Sequence, residues 1–103
     1  MWHQRDKLFS RWKERFFLLT RDYLQCFKKG TSRMTEMGAF MFKIKLSDVE
    51  MVDLVDKRGY LTISLLVNRE GKMLLRKPEG IREWFDMIKV SNMLMTAWAS
   101  CLM

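Results

Sequence analysis

One histidine, one proline, two cysteines and five glycines in 103 residues leave this chain poor in the residues that most site chemistry uses. His3 has no Ser or Cys placed with it as a nucleophile–base pair. The carboxylates occur singly, without the spacing of a metal site or of an acid–base pair. No glycine-rich loop is present to cradle a phosphate. An enzyme is therefore not expected, and no metal or cofactor is called for. Cys26 and Cys101 supply neither a disulfide framework nor metal-ligand spacing, which suits a reducing cytosol. No apolar run approaches the roughly 20 residues that span a bilayer, and no signal-peptide pattern opens the chain.

What remains is a compact, basic, ordinary globular composition. Apolar residues make up 49% and charged residues 30%. The length is that of one domain, 1–103, just enough to bury one core. So small a module is expected to sit inside a longer protein. The net charge of +7 is concentrated at one end. Residues 1–33 carry nine basic side chains, among them Arg21 and Arg33, against the three acids Asp6, Glu14 and Asp22. A field of this kind attracts phosphate-bearing partners.

Turn residues cut the first three quarters of the chain into strand-length pieces. Strands are expected at 12–20, 23–27, 40–46, 49–55, 60–67 and 72–76, all within about residues 1–77. Phe42, Ile44 and Leu46 alternate with Lys43 and Lys45, the period of a half-buried strand. Lys28-Lys29-Gly30-Thr31-Ser32 reads as a loop, and Asn68-Arg69-Glu70-Gly71 as a four-residue hairpin turn. After Pro78 the period changes. Ile81, Trp84, Phe85 and Ile88 fall on one helical face, predicting a helix from about 79 to 95 followed by a short tail. Pro78 is placed at its first position, with Glu79 on the positive helix end and Gly80 loosening the first turn. Phe17, Trp84 and Ile88 are read as core, with Trp12 beside them. Most of the ten methionines are read as core filling, with a partner-binding patch in the tail as the lesser alternative.

Two motifs resemble the pleckstrin homology (PH) domain family. Trp12-Lys13-Glu14-Arg15-Phe16-Phe17-Leu18-Leu19-Thr20 is similar to that family's second strand, and Arg82-Glu83-Trp84-Phe85 to its terminal helix with a buried Trp. The resemblance covers about the first 90 residues. It implies a mainly β fold: a seven-stranded antiparallel sandwich or partly open barrel, capped by one C-terminal α-helix. A first strand must then come from Met1-Trp2-His3-Gln4-Arg5, with Arg5 where the family often has Lys.

The resemblance also implies a headgroup site at the open end of the barrel. Arg5, Lys13 and Arg15 fill the family's basic positions, and Lys7, Arg11, Lys28, Lys29 and Lys72 are expected around the same rim. Alternate strand residues share a face, so Lys13 and Arg15 point together, and Arg15 offers a fork of donors to a phosphate. Cys26 stands where many tight phosphoinositide readers carry a Tyr, and Glu36 lies in the next loop, so diffuse charge is expected to outweigh headgroup selectivity. Leu8 and Phe9 are expected to pack on the following strand, with a dip into the interface between headgroups and acyl chains as the lesser alternative. The function so implied is a monomeric signalling adaptor module, cytoplasmic and peripheral at the inner face of membranes. It would bind anionic phospholipids, phosphoinositides among them. A protein-docking role, for example to a small GTPase or scaffold, is the alternative. Nucleic acid is not an expected partner, because the aromatics sit on core faces and do not interleave with the basic residues.

Overall fold

The computed structural model describes residues 1–5, 11–29 and 37–102. Within them lie seven strands and one α-helix: β1 (Trp2–Arg5), β2 (Lys13–Leu19), β3 (Tyr23–Lys29), β4 (Met37–Lys45), β5 (Val49–Lys57), β6 (Tyr60–Val67), β7 (Gly71–Arg76) and α1 (Ile81–Leu102). A single 3₁₀ turn at Leu46–Asp48 joins β4 to β5. All strand pairs are antiparallel, in the order β4-β3-β2-β1-β7-β6-β5. The sheet does not close, and β4 and β5 are its two edges. The mainly β fold with one terminal helix is thus as the sequence predicts.

The β1 strand forms despite its polar sequence. Met1 and Arg15 exchange backbone hydrogen bonds of 2.9 and 2.8 Å, while His3 pairs with Lys13 on one side and Leu75 on the other. The His3 ring is buried against Phe17 and Phe42, with centroids 5.9 and 5.6 Å away, so the polar residue is taken into an aromatic wall. The core is built from alternate residues of every strand pair: Phe17, Leu24 and Ile44 from one half of the sheet, Ile63, Leu65 and Leu75 from the other.

Two tight turns set the β5–β6–β7 meander. Lys57 pairs with Tyr60 around Arg58 and Gly59, whose φ values of 54° and 87° give the twist that a two-residue hairpin needs. The second turn is the one expected at Asn68–Gly71; Arg69 (φ 68°) and Gly71 (φ 86°) carry its left-handed positions.

Helix α1 closes one end. It begins at Ile81, not at Pro78, because Gly80 has φ +79° and accepts the Trp84 N–H at 3.2 Å, acting as a cap outside the helix. It continues to Leu102 rather than stopping near 95, since no Gly or Pro follows Gly80 to end it. Ile81 and Ile88 are fully in the core, and Trp84 and Phe85 are half-buried against it. Asn92 continues the same stripe one turn on. Its side-chain amide donates to the Leu46 and Val49 carbonyls at 2.8 and 2.9 Å, fastening the helix to the 3₁₀ turn and the start of β5. Among the described residues no helix is long and apolar enough to cross a membrane.

Candidate anion-binding end of the sheet

The sequence of β2 places Lys13, Arg15 and Phe17 on one face, and Phe17 fixes which face that is, because it is buried in the core. On β3 the same face carries Leu24, Cys26 and Lys28. Register brings Phe17 opposite Cys26 and Arg15 opposite Lys28. The inner face therefore passes from core to cations within one residue pair. Lys13, opposite His3, extends the basic surface by one more step along β2. Arg15 is half-buried, and Lys13 and Lys28 are exposed.

Cys26 is completely buried between Phe17 and Phe42 in the register. Burial pushes its thiol up to about 11, against the opposing pull of the Arg15 guanidinium and the amino terminus. The thiol stays protonated at neutral pH, and it lies in the core. The outermost inward position of β3 belongs instead to Lys28. Lys28 and Lys29 are strand residues rather than the loop expected of them. The reason is Gly38: a Cβ there would lie 2.6 Å from the Lys28 carbonyl oxygen, so only glycine lets β4 run this close to β3. Gly38→Ala is expected to cost about 1–3 kcal/mol through the forced backbone shift, and to displace Lys28 from Arg15. A urea melt beside an amide NMR map of β3 checks both.

The other expected rim residues are distributed unevenly. Arg5 ends β1 with its backbone paired to Met73, but its side chain lies outside the described residues, as does that of Lys29. Lys7, Leu8, Phe9, Arg33 and Glu36 lie outside them altogether. Arg11 is exposed just ahead of β2. Lys72 is not brought to the cluster: it alternates with buried Met73 and so faces the other way, beside a separate cleft of about 270 Å³ that also holds Lys43, Lys45 and Arg69.

Trp12 corrects the sequence reading too. It is half-buried outside the core, on the outer face of the sheet. There Arg76 Cζ lies 4.2 Å from the Trp12 ring and 4.7 Å from the Tyr60 ring. The Nε and Nη2 groups of Arg76 both donate to Thr62 Oγ1 at 3.3 Å. These contacts explain how Thr62 can be fully buried on a face remote from the core.

Sequence reasoning missed an aromatic run on the outer face of β2–β3–β4. Phe27 meets Phe16 and Phe40 edge-on, at centroid distances of 6.4 and 5.6 Å. The register slips between Cys26 and Phe27, so that Phe42 and Phe40 pair with them and Met41 is left as a bulge. Nothing in a strand's alternation marks such a slip; the aromatics at 16, 27 and 40 were its only trace.

No family model matches the chain. Nor does any curated protein match it significantly.

Proposed function

We propose that this chain is a PH-type membrane-targeting module that binds anionic lipid headgroups, phosphoinositides among them, and recruits the protein that carries it to the cytoplasmic face of a membrane. The observation that supports this reading most is the pairing of Arg15 with Lys28. Like charges directly opposite on antiparallel strands are destabilising. A phosphate set between them turns that repulsion into two attractions, the Arg15 fork giving direction and Lys28 a compact charge. Lys13, on the same face of β2, adds a third cation. A merely solvated strand would gain nothing from placing the three together beside the core.

The test is sedimentation with phosphatidylcholine vesicles containing phosphatidylserine or a phosphoinositide. Each basic residue near an anionic surface contributes about 1 kcal/mol, so Lys13→Ala/Arg15→Ala is expected to weaken binding roughly 30-fold. Its melting temperature should stay close to wild type, because neither side chain lies in the core. Unchanged sedimentation would overturn the headgroup reading.

A second reading, docking to a protein partner, is supported by α1. Met87, Val90 and Leu94 recur at i, i+3 and i+7 and are all exposed, an apolar stripe on the helix side away from the core.

A further inference from the structure

We infer that the outer face of the sheet carries a second anion site, chemically unlike the first, which takes a small phosphate ester of a flat aromatic ring, such as a nucleoside diphosphate. The site is a cleft of about 490 Å³ between Trp12, just ahead of β2, and the β5–β6 hairpin, within the size range of small-molecule sites. Its described lining joins three cations, Lys57, Arg58 and Arg76, to the apolar surfaces of Trp12, Tyr60 and Leu74, and includes no carboxylate. The nearest acid in sequence, Asp56, is turned away. It alternates with Lys57 along β5, and its Oδ1 accepts the Gly59 N–H at 2.8 Å.

Arg76 is set in place before any ligand arrives. The rings of Trp12 and Tyr60, 4.2 and 4.7 Å from its Cζ, and Thr62 Oγ1 fix the guanidinium, while Nη1 has no acceptor among the described residues. A fork held in this way loses little side-chain freedom when a phosphate binds. The walls decide the occupant. Phosphate alone would use the cations and leave the rings in water. An inositol phosphate, hydroxylated all round, gains little from Trp12 and Tyr60. A nucleoside phosphate has an anion at one end and a π-face at the other, and Tyr60, 60% exposed, offers ring surface for stacking. The cleft and the Arg15–Lys28 step lie on opposite faces of the sheet, so one small ligand does not occupy both.

Calorimetric titration with ADP, inorganic phosphate and inositol trisphosphate, read beside amide and indole NMR shifts, tests the inference. At this cleft ADP should bind about tenfold more tightly than either other probe, because only its base stacks. Its shifts should centre on residues 57–62, Arg76 and the Trp12 indole, and not on Arg15 and Lys28. Lys57→Ala/Arg58→Asn should weaken ADP binding about tenfold or more. Asn tolerates the positive φ at position 58, which keeps the turn intact. Tyr60→Leu should lower the affinity for ADP to that for inorganic phosphate. Lys28→Glu, on the inner face, should leave ADP binding unchanged. Equal affinity of the cleft for ADP and inositol trisphosphate would overturn the nucleoside assignment. ADP shifts centred on Arg15 and Lys28, or no shift at the cleft with any probe, would overturn the site itself.

Discussion

Ile88→Ala is expected to lower the unfolding free energy by about 2–5 kcal/mol, and Trp84→Ala by less. The order runs against side-chain size. Ile88 has no solvent exposure and belongs to the central cluster, so truncation leaves a cavity that the sheet and helix must close over. Trp84 packs against that cluster with part of its ring still in water, so less contact is lost when it is removed. A domain of this size commonly has only about 5–15 kcal/mol in all, so Ile88→Ala should be partly unfolded at physiological temperature. Urea melts of the two variants give the comparison directly. A larger loss for Trp84→Ala would mean that the helix is held chiefly by its first turns and that Ile88 sits in a site able to collapse.

The elements that could be read from the sequence are those whose pattern is local. β6 is recovered at 60–67 because Tyr60 to Val67 is an apolar run bounded by Gly59 and Asn68. The stripe of Ile81, Trp84, Phe85 and Ile88 shows the helix because one face of it must be buried. What escaped depends on contacts between distant segments. Whether Lys28 belongs to a loop or a strand is decided by Gly38 ten residues later, through a backbone approach that propensity does not encode. Trp12 looks like core by composition, yet Arg76 and Tyr60 hold it on the other side of the sheet. Asn92 could have been found, as a polar residue continuing the buried stripe of α1; a polar group there needs partners, and it has them in Leu46 and Val49. For the candidate site, Lys13 and Arg15 were legible as a pair on one face, since period two needs no tertiary information. That Lys28 completes the set opposite Arg15, and that Lys72 does not join it, follows only from register.

Lys28→Glu should stabilise the free domain while weakening its attachment to lipid, two effects of opposite sign from one substitution. In the wild type, Arg15 and Lys28 stand directly opposite on β2 and β3, and Arg15 is half-buried, so solvent screens their repulsion incompletely. A carboxylate at position 28 converts that repulsion into an ion pair. Exposed cross-strand charge pairs are worth about 0.2–1 kcal/mol, and Lys28 is exposed, so the gain in stability should be of that order. On an anionic surface the same change removes one favourable charge and adds one unfavourable charge. At about 1 kcal/mol per charge the loss is about 2 kcal/mol, roughly 30-fold in affinity. Salt separates the two effects further. Raising ionic strength from low to physiological values shortens the screening length to about 8 Å. Wild-type sedimentation should therefore fall steeply, while the variant, already weak, changes little. Differential scanning calorimetry with vesicle sedimentation at two salt concentrations reads both quantities on the same samples. A variant that is less stable and binds equally well would place Lys28 outside the cationic end and remove the physical basis for the anion site.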